Sequence, residues 1–187
     1  MRISGGTARG VPLQVPKGDA VRPATDGMRQ AVFSSLAARL PGARFADLFA
    51  GSGGYGLEAF SRGAAGGVFV EKSSKAAACI RQNVSAVCKS AGRTEQELKL
   101  LPVDVLTWSP VPGEEPDLVF IDPPYEIIAE VGPRLFERMS GWWPAGADPV
   151  VVFEMPGELT LEPPDWSCVK RLGKGARQPT VAFFRLT

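Results

Sequence analysis

The sequence contains no histidine, few cysteines and no long hydrophobic run. Without histidine, the chain can form no Ser-His-Asp triad, no histidine metal site and no imidazole acid–base pair. No segment approaches the roughly 18 uninterrupted apolar residues of a transmembrane helix, and the amino terminus lacks the apolar core of a secretory signal. These absences predict a cytoplasmic protein that has no contact with a membrane.

The three cysteines, Cys79, Cys88 and Cys168, are odd in number and are never spaced as C-x-x-C. We therefore expect them to be reduced and buried as small hydrophobic side chains, with no bound metal and no redox role. At 187 residues, of which 44% are hydrophobic and 22% charged, the chain is long enough to bury its own core. This size predicts one folded domain, alone or with a small appendage.

Positive charge is concentrated at the two ends of the chain. Residues 1–29 carry a net charge of +3 and residues 168–187 a net charge of +5, whereas the residues between them carry −7. Basic ends on an acidic body suggest a polyanionic partner, because local potential attracts phosphate more than total charge does. Solvated termini would give the same pattern, so charge alone does not establish the partner.

Apolar segments typical of strands alternate with amphipathic helical segments from about residue 45 onward. The predicted strands cover residues 45–50, 67–71, 98–103, 118–121, 150–153, 167–172 and 180–186. The predicted helices run from about 26 to 40, from 55 to 62, from the caps at 73 and 74 to 91, and from 125 to 139. Pro133 falls inside the last of these helices and predicts a kink or a late start.

This alternation is typical of a mostly parallel sheet that is covered by helices on both faces. The last two strands have no helix between them, so we expect an antiparallel hairpin at the sheet edge. The sequence therefore predicts a doubly wound α/β domain with seven strands over residues 25–187. Residues 1–24 are predicted to form a basic amino-terminal extension of this domain.

A glycine-rich loop follows the first predicted strand, with G-x-G-x-x-G at Gly51, Gly53 and Gly56. Glycines at this spacing let the backbone turn tightly and approach a ligand closely. Glu71 ends the next strand, where a carboxylate can accept hydrogen bonds from the ribose hydroxyls of an adenosine cofactor. The loop alone does not distinguish a nicotinamide dinucleotide from S-adenosylmethionine. Asp47 favours the latter, because an acid before the loop suits a cationic amino group and would repel a pyrophosphate.

Asp104 and Val105 follow the third strand, at the place where an adenine amino group would lie. The Asp104 carboxylate could accept from that group or could cap a helix. The predicted cofactor-binding residues are Asp47, Ala50, Gly51, Ser52, Gly53, Gly56, Glu71, Lys72, Asp104, Val105 and Asp122.

The tetrapeptide Asp122-Pro123-Pro124-Tyr125 follows the fourth strand, at the sheet edge where open α/β folds bind ligands. Two prolines fix the backbone and leave carbonyl acceptors. The Asp122 carboxylate and the Pro123 carbonyl can both accept hydrogens from the exocyclic amine of a nucleobase, and Tyr125 can stack on the base. Asp122, Pro123 and Tyr125 are therefore the candidate catalytic residues.

Residues 47–56, Glu71 and the tetrapeptide together resemble those class I S-adenosylmethionine-dependent methyltransferases that modify exocyclic amines. The resemblance implies a Rossmann-like fold. The amino-terminal sequences Arg2-Ile3-Ser4-Gly5-Gly6, Arg9-Gly10 and Arg22-Pro23-Ala24-Thr25-Asp26, followed by Arg29 and Val32-Phe33, are similar to the RsmD family. Members of that family are bacterial 16S ribosomal RNA guanine-N2 methyltransferases.

The resemblance implies a cofactor contact for Gly51, Gly53 and Glu71 and a target-guanine contact for Asp122 and Tyr125. It also implies that the arginine-rich amino-terminal extension, residues 1–24, contacts the 16S ribosomal RNA of the small subunit. The predicted RNA-binding residues are Arg2, Arg9, Arg22 and Arg29. We expect a monomer with no metal that uses S-adenosylmethionine. The basic stretch over residues 170–177 matches the family poorly.

Three other functions are compatible with parts of the sequence. The same tetrapeptide occurs in adenine-N6 and cytosine-N4 DNA methyltransferases, although 187 residues leave no room for a separate target-recognition domain. A non-catalytic RNA-binding or assembly factor could also use this scaffold. A nicotinamide-dependent dehydrogenase fits the glycine loop, but no acid suited to hydride transfer accompanies it.

Overall fold

The computed structural model describes residues 1–16, 26–173, 175 and 178–187. Its strands are β1 (Arg44–Leu48), β2 (Gly66–Val70), β3 (Leu98–Leu101), β4 (Leu118–Ile121), β5 (Val150–Pro156), β6 (Trp166–Leu172) and β7 (Pro179–Leu186). Its α-helices are α1 (Asp26–Ser35), α2 (Gly54–Ser61), α3 (Ser74–Ala91) and α4 (Ile128–Met139). Short 3₁₀ turns cover Glu95–Glu97, Val105–Thr107 and Tyr125–Ile127.

The strands form a seven-stranded sheet in the order β3-β2-β1-β4-β5-β7-β6. The first five strands of this order are parallel, and β7 is antiparallel to both β5 and β6. The predicted fold class is thereby confirmed, including the carboxyl-terminal hairpin. The strand order changes direction between β1 and β4. Open α/β folds form their ligand-binding crevice at the carboxyl ends of the strands on either side of such a switch point.

Side chains that alternate along each strand divide the interior into two cores, because successive residues point to opposite faces of a sheet. Helices α1, α2 and α3 cover one face, where Phe33, Phe45, Phe60, Phe69 and Phe120 are buried. Helix α4 covers the other face, where Phe136, Phe153, Trp166 and Phe184 are buried. The helices therefore lie on both faces of the sheet.

The amino-terminal residues are packed against the domain. Ile3, Ala8 and Leu13 are buried in the first core, and Arg2 pairs with Pro12 in an antiparallel bridge. The buried Glu58 of α2 accepts hydrogen bonds from the Ser4 amide and hydroxyl, each at 2.7 Å. The first 16 residues are thus held in place by burial and by hydrogen bonds. Their role in RNA binding, and the predicted division at residue 24, remain predictions.

Several local features differ from the sequence-based expectations. Helix α1 ends at Ser35, and turns over 36–39 bury Leu36 and Leu40 in place of a longer helix. Helix α4, by contrast, begins late, after a 3₁₀ turn, which confirms one of the two outcomes predicted from Pro133. Cys88 is buried as expected, but Cys79 is only half-buried and Cys168 is exposed. The expectation for Cys168 was wrong because it lies on edge strand β6, where residues 167–171 are all exposed.

No helix in the described part of the chain combines the length and the apolar character needed to cross a membrane.

Candidate active site

The glycine loop follows β1 and lies at the crevice between β1 and β4. Phe49, Gly51 and Gly53 have positive φ angles of 58°, 55° and 77°, so the chain reverses sharply before α2 begins. A Cβ atom added to Gly51 would have only the Phe49 carbonyl oxygen nearby, at 3.9 Å. The backbone at Gly51 therefore borders open space in the crevice, as close approach by a ligand requires.

Gly56 serves packing. A Cβ atom at this position would lie 2.5 Å from the rings of both Phe45 and Phe69. The absence of a side chain lets α2 pack directly on the sheet, so the third glycine of the motif sets the distance between helix and strand.

Glu71 stands at the end of β2 and is oriented by two backbone amides. Its Oε2 atom accepts from the Gly51 amide at 2.9 Å, and its Oε1 atom accepts from the Ser73 amide at 2.7 Å. The carboxylate is half-buried and tied to the glycine loop. The structure thus brings together two of the predicted cofactor-binding elements, although β2 and the loop are 20 residues apart in sequence.

Asp104 adopts the capping role that the sequence left open. Its Oδ1 atom accepts from the Leu106 amide at 2.9 Å and caps the 3₁₀ turn that begins at Val105. Its Oδ2 atom lies 3.1 Å from the Lys72 amine. The Leu106 amide, followed by Lys72, lowers the pKa of Asp104. Val105 is buried behind the cap, whereas Asp104 and Lys72 are exposed at the same rim of the sheet.

Asp47 is almost completely buried beneath the glycine loop, with 2% of its surface exposed. Its Oδ2 atom accepts from the Gly56 amide at 2.9 Å. Burial raises the pKa of the Asp47 carboxyl to about 8, and the nearby Glu71 carboxylate adds to the shift, although the Gly56 amide opposes it. The ionised carboxylate would gain strongly from a cation in the crevice.

Asp122 follows β4 directly and lies next to Glu154 of β5. The register pairs Ile121 of β4 with Phe153 of β5. Asp122 and Glu154 follow these two residues directly and therefore lie side by side on neighbouring strands. Burial raises the pKa of Asp122 well above its ordinary value, and the Glu154 and Asp47 carboxylates raise it further. Three acids therefore converge from β1, β4 and β5 on the face that α1, α2 and α3 cover.

Sequence reasoning missed Glu154 and its partner Tyr55. The Tyr55 hydroxyl donates to Glu154 Oε2 at 2.8 Å, and the Tyr55 ring stacks on Phe120 with centroids 5.4 Å apart and planes 14° apart. Burial raises the pKa of Glu154, while the Tyr55 hydrogen bond and the Arg29 charge lower it. One signal was present in the sequence, since Glu154 is a lone acid inside the apolar run 150–155.

The remainder of the tetrapeptide lines the rim of the crevice. Pro123 is buried, Pro124 is exposed, and Tyr125 begins the 3₁₀ turn that leads into α4. Tyr125 is 38% exposed, so part of its ring is accessible to a ligand. Asp122, Pro123 and Tyr125 thus remain together at one end of β4.

The predicted RNA-binding arginines have different environments. Arg2 and Arg9 are exposed, and Arg22 lies outside the described residues. Arg29 is only 3% exposed, forms an ion pair with Asp26 and donates to the Arg2 carbonyl at 2.9 Å. The expectation that Arg29 contacts RNA is corrected, because its guanidinium is enclosed between α1 and the amino-terminal segment. Its charge acts on the buried Glu154 instead.

Comparisons with known proteins agree with this architecture. The model of a family described as Conserved hypothetical protein 95 matches residues 1–181. Ribosomal RNA small subunit methyltransferase D from Escherichia coli (strain K12) is 33% identical over 168 residues, covering 89% of this chain and 81% of that protein. A solved chain from Escherichia coli has a TM-score of 0.81 at 27% identity, covering 100% of this chain and 97% of that one.

A more distant solved structure shares the fold. It is an RNA methyltransferase from Salinibacter ruber in complex with S-adenosyl-L-homocysteine, with a TM-score of 0.60 at 18% identity, covering 88% of this chain and 93% of that chain.

Proposed function

This chain belongs to the RsmD-like methyltransferase family described as Conserved hypothetical protein 95, and we propose that it methylates the exocyclic N2 of a guanine in 16S ribosomal RNA. The proposed methyl donor is S-adenosylmethionine, and the proposed substrate is the small ribosomal subunit. The similarity to ribosomal RNA small subunit methyltransferase D supports an enzyme that methylates ribosomal RNA. The proposal adds four points to this: the target base is guanine, the methylated atom is N2, the protein acts as a monomer, and it is cytoplasmic.

The residues at the crevice fit S-adenosylmethionine. Gly51 presents open backbone, and Glu71 is held by two amides at the end of β2, where ribose hydroxyls can donate to it. Asp47 is a buried acid whose charged form needs a cation, and the α-ammonium group of the methionine part supplies one. When bound, S-adenosylmethionine supplies an electrophilic methyl group on a sulfonium and departs as S-adenosylhomocysteine.

The protein's contribution is to hold and orient the amine. An exocyclic amine is a weak nucleophile, because its lone pair is conjugated with the ring. When Asp122 and the Pro123 carbonyl accept its two hydrogens, the nitrogen is favoured in a pyramidal form whose lone pair points outward. The nitrogen gains the methyl group and loses one hydrogen as a proton, for which the Asp122 carboxylate is the adjacent acceptor. Alignment therefore provides most of the rate enhancement.

Tyr125 offers a partly exposed ring on which the guanine can stack, a contact worth about 1–3 kcal/mol. Arg2 and Arg9 are exposed on the packed amino-terminal segment, where they can neutralise phosphates near the crevice. A small RNA-binding surface suffices for an assembled ribosomal particle, whose target is already folded and presented.

The single observation that carries the proposal is the position of Asp122, at the carboxyl end of β4 and beside the glycine loop after β1. The test is incubation of the purified protein with labelled S-adenosylmethionine and small ribosomal subunits that lack the modification. Nucleoside mass spectrometry should identify labelled N2-methylguanosine. Detection of labelled N6-methyladenosine or N4-methylcytidine would show that the target base is adenine or cytosine. A failure to detect any labelled nucleoside would contradict the proposal.

A further inference from the structure

Glu154 is a buried acid in the crevice that the proposed chemistry leaves without a role. Only 2% of its surface is exposed, and it lies on the same sheet face as Asp122, one strand away. Unpaired acids are rarely buried, because ionised carboxylates lose hydration there. Among the described residues, the Tyr55 hydroxyl is the only group that donates a hydrogen bond to Glu154. The Arg29 charge stabilises the carboxylate, but within the described part of the chain it supplies no hydrogen bond, so Glu154 Oε1 is left without a donor.

The two acids are mounted on one rigid frame. Tyr55 fixes Glu154 through its hydroxyl and stacks on Phe120, which precedes Asp122 by two residues on the same face of β4. Phe120 and Val152, below the two acids, are fully buried. A planar ligand held by Asp122 would consequently present its adjoining edge atoms toward Glu154 Oε1.

The three nucleobases that carry an exocyclic amine differ at the neighbouring ring nitrogen. In guanine, the N2 amine lies between two ring nitrogens: N1, which carries a hydrogen and donates, and N3, which accepts. In adenine and cytosine, the nitrogen next to the amine is an acceptor. A second carboxyl oxygen beside Asp122 therefore complements guanine and faces a lone pair in the other two bases.

We propose that Glu154 is a specificity-determining residue that accepts the N1–H of the target guanine while Asp122 and the Pro123 carbonyl hold its N2 amine. This assignment rests on the proposed function and deepens it. The preference requires the ionised carboxylate, which only accepts, because a protonated carboxyl group could donate to an acceptor nitrogen. The Tyr55 hydrogen bond and the Arg29 charge both favour the ionised form. Tyr55 is a positioning residue that orients the acid toward the base.

The test compares guanine with 2-aminopurine, which keeps the 2-amine but has an acceptor at N1. Small subunits are reconstituted with 16S ribosomal RNA that carries either base at the position mapped by mass spectrometry. We expect the wild-type protein to methylate the guanine substrate with a kcat/KM at least about 100-fold above that for 2-aminopurine, because buried polar groups reject analogues that leave them unpaired. Equal rates on both substrates would overturn the proposal.

Glu154→Gln provides the second arm, because an amide can turn its N–H toward an acceptor. We expect this variant to narrow the preference for guanine to about tenfold or less. Glu137→Gln, the same substitution at an exposed position of α4, is the matched control and should keep the preference. Tyr55→Phe removes the hydroxyl that orients Glu154 and should narrow the preference part of the way. An unchanged preference in Glu154→Gln would overturn the assignment.

The outcomes separate this inference from the proposed function. If the wild-type protein produces no N2-methylguanosine from unmodified subunits, the proposed function fails. If it methylates guanine well but without preference over 2-aminopurine, only the role of Glu154 fails.

Discussion

At the scale of single residues, the crevice is defined by three acids whose charges are unfavourable in the ligand-free protein. Asp47, Asp122 and Glu154 are each shifted toward the neutral form, chiefly because they are buried. A natural protein retains such a cluster when a ligand compensates for it. For Asp47, the ammonium charge of S-adenosylmethionine would provide that compensation; for Asp122 and Glu154, the hydrogen-bond donors of the target base would provide it.

The pH dependence of stability tests the state of Asp47. The pKa of Asp47 in the folded protein, about 8, lies above the ordinary pKa of 3.8, so between these two pH values the folded protein binds a proton that the unfolded protein does not. The free energy of unfolding of the ligand-free protein should therefore fall as pH rises from about 4 to 8, by up to roughly 1.4 kcal/mol per pH unit for this group. Asp47→Asn should remove this group's contribution, about one proton, from the slope of the free energy of unfolding against pH. Urea denaturation at several pH values across this range measures the slope.

The same substitution should weaken the binding of S-adenosylmethionine about tenfold or more, because the amide cannot compensate the ammonium charge. Calorimetry at pH 8 measures this directly. Asp165→Asn, at an exposed position before β6, is a matched control that should change neither quantity. A stability slope that Asp47→Asn leaves unchanged would contradict the assignment of a raised pKa to this residue.

At the scale of the elements, α3 connects the amino-terminal segment to the glycine loop through Asn83. The buried Asn83 side chain accepts from the Gln14 amide at 2.7 Å and donates to the Gln14 and Ser52 carbonyls at 2.9 and 2.8 Å. One side chain thus satisfies both backbone groups of a residue in the docked segment and one carbonyl of the loop. This linkage orders two parts of the proposed site together.

Asn83→Ala should leave three backbone groups without their partner and should destabilise the protein by about 2–4 kcal/mol. We also expect weaker binding of S-adenosylmethionine, because the Ser52 carbonyl no longer anchors the loop. Thermal unfolding and calorimetry measure the two effects. Gln82→Ala, at the neighbouring exposed position of α3, is the control and should change neither. Full stability in Asn83→Ala would show that the segment is held by apolar burial alone.

The elements also show how far the sequence was informative. Strand and helix periodicity predicted all seven strands and the four long helices, since each buries a distinct apolar face. The insertion of β7 between β5 and β6 was not predicted, because local patterns do not specify which strand is the neighbour. Glu154 was visible in the sequence as a lone acid in an apolar run, but its partner was not, because the Tyr55 hydroxyl that donates to it at 2.8 Å lies 99 residues away in the chain.

At the scale of the whole molecule, the basic amino-terminal segment, residues 1–16, is packed against the rest of the domain. Burial of Ile3, Ala8 and Leu13 fixes the segment, while Arg2 and Arg9 remain exposed. The proposed RNA surface is therefore prearranged over residues 1–16, which lowers the entropic cost of binding.

Arg9→Glu should weaken the affinity for small subunits and should reduce the slope of log K against log salt by about one or more, because a phosphate contact is lost. Filter binding over a range of salt concentrations measures this. Arg44→Glu is the charge-matched control, since Arg44 is exposed at the amino end of β1, whereas the glycine loop follows the carboxyl end of that strand. Equal losses for the two variants would indicate a general effect of net charge and would contradict a local contact at Arg9.

Asp122→Ala tests the central claim most directly, when turnover and S-adenosylmethionine affinity are measured on the same preparation. We expect affinity within about threefold of wild type and a loss of turnover of at least about 100-fold, because Asp122 acts on the amine and not on the donor. Asp122→Asn, which keeps one acceptor oxygen, should recover part of the rate. Parallel loss of affinity and turnover, or full turnover without the carboxylate, would contradict the account.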